Sequence, residues 1–177
     1  MPATTLRVRA VRRLTFAVLA ASTVALGAAA VSFGGPWISI ESPVNPYDAA
    51  ATGALFVVHT FRHANPMDMG ITGQAEGVVD GKRRSATFTL SKAHTGTYVV
   101  RRQWGDKGVW TLVVTATPSD HGPGEQLQAV VEIGADGQVG KVTVPRDDRG
   151  TLRAVAAAEI ERSLRERAKL PVSVGAR

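Results

Sequence analysis

The sequence predicts an all-β domain, an antiparallel two-sheet sandwich with a helical segment at each end. Three observations predict it. Between Trp37 and Val144, apolar and polar residues alternate in short runs of period two, the spacing of half-buried strands. Turn chemistry such as Asp80-Gly81, Asn65-Pro66 and Asp136-Gly137 separates these runs at short, regular intervals. Nothing between consecutive runs has the length or periodicity of a crossover helix, which excludes a parallel α/β sheet. A closed barrel fits the same spacing and is the second choice. The boundaries that follow are 1–33 for a leader or anchor, 34–146 for the sandwich and 147–177 for a helix and tail.

The first segment is an export signal. Arg7, Arg9, Arg12 and Arg13 precede Leu14–Phe33, an uncharged run that reads LTFAVLAASTVALGAAAVSF. A basic stretch followed by an apolar one is the pattern of a secretory leader. Ala28-Ala29-Ala30 supplies a cleavage site. Left uncut, about 20 apolar residues are enough to cross a bilayer. In both cases the arginines stay in the cytoplasm and the rest is translocated, by the positive-inside rule.

The strands come next. Trp37–Glu41 is short and is stopped by Pro43, and Asn45-Pro46-Tyr47-Asp48 turns the chain. Ala54–Phe61 is dense in β-branched and aromatic residues. Ile71–Val79 leads into Asp80-Gly81, a two-residue type I′ hairpin signal. Ala86, Phe88 and Leu90 then share one face. A strand is expected over Thr97–Trp104 and a stronger one over Val109–Ala116, with Trp110, Leu112, Val114 and Ala116 turned inward. Trp104, beside the Gly105–Gly108 turn, is expected to be the more exposed tryptophan. Leu127, Ala129, Val131 and Ile133 alternate before the Asp136-Gly137 turn into Val139–Val144.

The tail is helical in composition from Leu152 to Lys169. Asp147, Asp148 and Thr151 offer capping groups, and Pro171 stops the helix. Val155, Ala156, Ile160 and Leu164 form a thin apolar stripe, to be packed on the sandwich edge or on a partner. Glu161 and Arg165 are spaced for an i,i+4 pair. Arg162, Arg165, Arg167 and Lys169 make a basic face, expected to be solvated and to complement the helix C-terminus; anionic lipid is the alternative contact.

Composition removes several function classes. Cysteine is absent, which excludes disulfides, thiol catalysis and thiolate metal centres. Aromatics are only 6%, too sparse for a nucleic-acid stacking platform. The net charge of +6 resides at the ends: residues 31–144 hold nine Lys/Arg against ten Asp/Glu. No basic binding face follows, so nucleic acid is not an expected partner. Asp80, Asp106 and Asp136 lie in turns, and there is neither a G-x-S-x-G elbow nor a Walker loop. The chain reads as no enzyme. The basic pairs Arg83-Arg84 and Arg101-Arg102 are expected to send one side chain each to the solvent face.

One segment carries candidate metal ligands. His59, His63, Met67 and Met69 fall in HTFRHANPMDM. Imidazole and thioether suit copper, and an extracytoplasmic compartment permits it. His59 and His63 are about 13 Å apart if the strand is straight, so convergence needs a turn at Arg62-His63. The competing expectation is a strand residue, His59, followed by an exposed loop. No cofactor is assigned, and copper is the metal these residues would take.

Gly96-Thr97-Tyr98, followed by Gly108-Val109-Trp110-Thr111-Leu112-Val113-Val114, resembles a pattern of exported immunoglobulin-like domains. There a strand opens G-x-Y and the next reads G-x-W-x-L-x-V. The YtkA-like family of bacterial exported or membrane-anchored domains is similar in this stretch of about twenty residues. The resemblance implies an immunoglobulin-like sandwich in which the Tyr98 hydroxyl bonds backbone at a sheet corner. Related exported sandwiches include copper carriers. The expected function is a non-enzymatic, exported or membrane-anchored sandwich module, periplasmic or otherwise extracytoplasmic. It would meet the membrane through its N-terminal helix and serve an envelope protein partner. The alternative is a periplasmic copper- or other metal-binding protein that uses the His59–Met69 segment.

Overall fold

The computed structural model describes residues 35–105, 107–119 and 126–169. The leader expected over residues 1–33 lies outside them, as does most of the polar loop at 118–124. Two antiparallel sheets make up the domain. The first has the order β1-β2-β7-β6, formed by Pro36–Glu41, Phe56–Arg62, Thr97–Val100 and Ser91–His94. A two-residue strand β3, Asn65–Pro66, adds to β2. The second has the order β10-β9-β8-β4-β5, formed by Val139–Thr143, Leu127–Ile133, Val109–Thr117, Gly70–Val79 and Lys82–Phe88. Among the described residues no helix is long and apolar enough to cross a membrane.

Strand alternation places the core between the sheets. Ile38, Phe56, Val58, Tyr98 and Val100 face inward from the first sheet. Phe88, Trp110, Leu112, Val114, Val131 and Ile133 meet them from the second. Burying both apolar faces against one another is the condition for a sandwich. The β4 stripe Gly73-x-Ala75-x-Gly77 makes this packing possible. Gly73 is paired with Phe88 and Gly77 with Trp110. A Cβ on Gly77 would come within 2.4 Å of the indole, and one on Gly73 within 2.4 Å of the phenyl ring. The two rings occupy the space that a side chain at either glycine would need, so large and small alternate across the layer.

Side chains tie down the segments that pass from sheet to sheet. The Tyr98 hydroxyl accepts from the Met69 N–H at 2.9 Å and donates to the Met69 carbonyl at 3.0 Å, holding the passage from β3 to β4. The expected backbone bond of Tyr98 is present, to a residue 29 positions upstream. Gly96 explains the first position of G-x-Y. With φ of 65° it lies so close to Thr60 and Met67 that a Cβ would meet the Thr60 carbonyl at 2.5 Å. Gln103 binds the Thr89 N–H at 2.9 Å and its carbonyl at 2.7 Å, joining the two other passages. Arg102 reaches across to the Gly137 carbonyl at 2.6 Å.

Several expectations need correction. The strand expected over Thr97–Trp104 ends at Val100, because residues 101–104 cross between sheets. Ser91–His94 is a strand that the alternation did not reveal, being short and mostly exposed. Trp104 is only marginally more exposed than Trp110, and both are buried. It is 6% exposed against 3% for Trp110 and packs edge-on against Phe88 at 5.2 Å. The passage folds the ring inward, so distance from a strand centre does not measure exposure here.

The helix α1 is shorter than expected, Ala157–Ala168. Its N-cap is Ala156, whose N–H donates to Glu159 Oε2 at 2.8 Å. Asp147 and Thr151 do not cap it. They close a separate loop in which Asp147 Oδ1 accepts from the N–H groups of Arg149 and Thr151. The helix packs on the outer face of the second sheet, with Leu164, Ile160 and Ala168 on Val78 and Val109.

Candidate functional site

Each candidate metal ligand has a definite place. His59 lies on the outer face of β2, opposite Ser39 and Thr97. Its Nε2 is 2.8 Å from Glu41 Oε2, and its Nδ1 is 3.4 Å from Thr97 Oγ1. The His59 hydrogen bond, helped by the Asn45 N–H, holds the Glu41 carboxyl below the usual carboxylate range. His63 is exposed in the β2–β3 turn at φ of 48°. Met67 packs partly on the core and Met69 is buried in it. The turn at His63 exists, yet it does not gather the four. His59 looks outward from the sheet while Met69 looks inward. Among the described residues no group of three or more His, Asp or Glu is placed to hold a metal ion.

A concave surface lies elsewhere among the described residues. A groove of about 760 Å³ runs between the N-terminal half of α1 and the outer face of the second sheet. Thr72, Gln74, Thr87, Thr115 and Gln128, with the apolar Val113 among them, form an uncharged floor that carries hydrogen-bonding groups. Strand alternation puts these residues on one face, since their neighbours Gly73, Ala75, Phe88, Ala116 and Ala129 turn toward the core. Ala157, Ala158 and Ile160 supply an apolar wall from the helix. Gln128 anchors that wall: its Oε1 accepts from the Val155 N–H at 2.8 Å, while its Nε2 donates to Thr115 Oγ1 at 3.2 Å.

Charges at the rim neutralise one another. Arg83 spans Glu76 at 3.4 Å and Glu161 at 3.2 Å, and Glu161 also accepts from Arg165 Nε at 2.9 Å. The Arg165 bond, with the Arg83 charge beyond it, holds the Glu161 carboxyl below its ordinary range. Thus the expected i,i+4 pair forms and becomes part of a bridge from helix to sheet. A groove with a neutral floor and a paired rim suits an uncharged polar surface better than an ion.

Arg167 was expected on a basic outer face, but it turns inward. Its Nη1 donates to the carbonyls of Ile133 at 2.9 Å and Trp110 at 3.1 Å, its Nη2 donates to Thr111 Oγ1, and its Nε donates to Ser163 Oγ at 3.3 Å. Glu132 lies 3.5 Å away. Burial pushes its pKa down and the Glu132 charge opposes that. Arg167 is a clamp that fastens α1 to the sheet, and it is unavailable to lipid.

Sequence reasoning missed the groove because the floor residues come from four strands, and each is an ordinary outward position by itself. A signal was present in their chemistry: Thr72, Gln74, Thr87, Thr115 and Gln128 are all uncharged, although outer sheet faces commonly carry Lys and Glu. No protein-family model matches the chain, and neither a curated protein nor a solved structure matches it.

Proposed function

We propose that the protein is an exported, membrane-tethered immunoglobulin-like module that binds an envelope protein through the groove beside α1 and performs no chemistry. The neutral, hydrogen-bonding groove is the observation that carries this reading. Its polar groups can pair with the backbone or amide side chains of a partner segment, and its charged rim is already satisfied internally. Binding there costs little electrostatic desolvation.

Strand order supports the finer fold assignment. The order β1-β2-β7-β6 corresponds to A-B-E-D of an immunoglobulin-like domain. The order β9-β8-β4 corresponds to G-F-C, with β5 beside C and β10 as an extra edge. In this correspondence Trp110 lies on the F strand and Tyr98 on the E strand, so Tyr98 is not at the usual tyrosine-corner position. The YtkA-like resemblance therefore rests on the G-x-Y and G-x-W-x-L-x-V motifs. The Arg-rich start and the uncharged Leu14–Phe33 run support export and tethering.

A photocrosslinking amino acid at Thr87 or Thr115 of the full chain, expressed in a bacterial host of the same envelope type, tests the binding role. A control at Ser91 reports the other sheet. Discrete crosslinked envelope proteins from the groove positions alone are expected. Identical patterns from all three positions would refute the groove as the binding face. A chain that resists added protease in spheroplasts but not after lysis would refute export.

A further inference from the structure

Trp37 and Phe61 are direct cross-strand partners on β1 and β2, and their rings stack 4.1 Å apart at 14°. They lie on the outer face of the first sheet, since Ile38 and Val58 point to the core. Both remain partly exposed. Much of the rest of this face is covered. Val44, Ala51 and Ala54, from the segment between β1 and β2, pack on Val57 and Val99. On the sheet itself the stacked pair is the aromatic surface left partly open there, and Tyr47, on the covering segment, is exposed as well. The other two tryptophans of the chain are 6% and 3% exposed.

Position along the chain identifies what would cover this pair. The first residue of β1 pairs with the last of β2, Pro36 with Arg62, so the aromatic pair sits at the end where the chain enters the domain. The exposed turn His63–Pro66 is at the same end. Phe33 ends the uncharged run, four residues before Trp37. Four extended residues reach at most about 14 Å. The headgroup layer on each side of the hydrocarbon is about 5–8 Å thick. Indole rings partition into that layer because they join a large apolar face to one N–H donor.

From this we infer that the Trp37–Phe61 pair is a bilayer contact, seated in the headgroup layer of the membrane from which the chain emerges. The inference rests on the tethering reading, and the occupant is lipid rather than a protein. It gives the domain a preferred orientation, with the outer face of the first sheet toward the membrane. The α1 groove, on the outer face of the other sheet, is then turned toward the envelope space.

Tryptophan emission of the full chain tests it in two sets of phosphatidylcholine–phosphatidylglycerol vesicles, one with acyl chains brominated near the headgroup. Bromine quenches only a ring that lies at its depth. Part of the wild-type emission should be lost in the brominated vesicles. Trp37→Phe keeps an aromatic stack and should show the same emission in both sets. Flotation of the protein with the vesicles is measured alongside. A chain that floats but shows equal emission in the two sets would overturn the platform and leave tethering standing. Quenching that persists undiminished in Trp37→Phe would also overturn it. A chain that fails to float would overturn the tethering reading itself.

Discussion

Removing the Trp110 ring would open a space that β4 cannot refill, because Gly77 beneath it has no side chain and backbone strands do not collapse into voids. Trp104 packs on Phe88 in the same core, so its loss also leaves a cavity. Trp110→Ala and Trp104→Ala should each lower stability by about 3–5 kcal/mol, read as the urea midpoint at constant slope. A loss under about 1 kcal/mol at Trp104 would place its ring at the surface. A second residue-scale effect depends on pH. Arg153 binds Glu159 through two bonds, at 2.6 and 2.7 Å, and the Ala156 N–H adds a third. Arg153 first, then that N–H, lowers the Glu159 pKa from 4.5 to about 2. A carboxyl depressed on folding stabilises fully above its unfolded pKa and loses that contribution as it protonates in the folded state. Glu159 should therefore help hold the helix start above pH 4.5 and cease to do so as pH falls toward 2. The pair is well exposed, so the effect should be small. Glu159→Gln should flatten the acid limb of a stability–pH curve over that window. A variant with the wild-type slope there would rule the pair out as a contributor.

The helix is held more by its clamp than by its own sequence. Twelve residues are too few for a stable isolated helix in water, and only Leu164 is fully buried. Arg167 compensates by donating to two strand carbonyls and to Thr111 while Glu132 balances its charge. Hydrogen bonds from a charged donor are worth about 1.5–3 kcal/mol, and truncation also strands the buried acceptors. Arg167→Ala should cost about 2–4 kcal/mol and raise amide exchange across 157–168 before the strands respond. Arg162→Ala on the exposed side should cost under about 0.5 kcal/mol. Uniform exchange gains in helix and strands for Arg167→Ala would mean the helix is not a separate unit. Since α1 forms one wall of the groove, Arg167→Ala should also weaken any crosslink from Thr87.

At the scale of the molecule, every described strand starts at or after Pro36. A chain beginning at residue 34 should fold into a soluble, β-dominated domain by far-UV circular dichroism. Aggregation in every buffer tried would show that residues 1–33 belong to the fold. The two faces away from the core differ in kind. One has an aromatic pair near the chain's entry, the other a groove with an uncharged floor and an apolar wall from α1. Under the proposed tethering, that difference would separate a membrane side from a partner side.

Much of this was legible in the sequence where local physics decides. Period-two alternation located most of the strands and the inward faces of β8 and β9. The two residues Asp80 and Gly81, both at positive φ, form the expected tight hairpin. Spacing alone also determined the Glu161–Arg165 pair. What the tertiary structure decided depends on segments that meet across long stretches of chain. Trp104 is buried because its passage folds under Phe88. Arg167 turns inward because the helix lies across β8, and Asp147 closes a loop because the helix starts ten residues later, at Ala157. The groove exists because four strands place neutral residues beside one helix. His59 points outward from the first sheet while Met69, in the passage between the sheets, is buried in the core, so their proximity in sequence brings no convergence. Alternation and turn chemistry act over a few residues and survive in any context. The burial of a ring, the target of an arginine and the lining of a groove are set by non-local packing, which no window of the sequence contains.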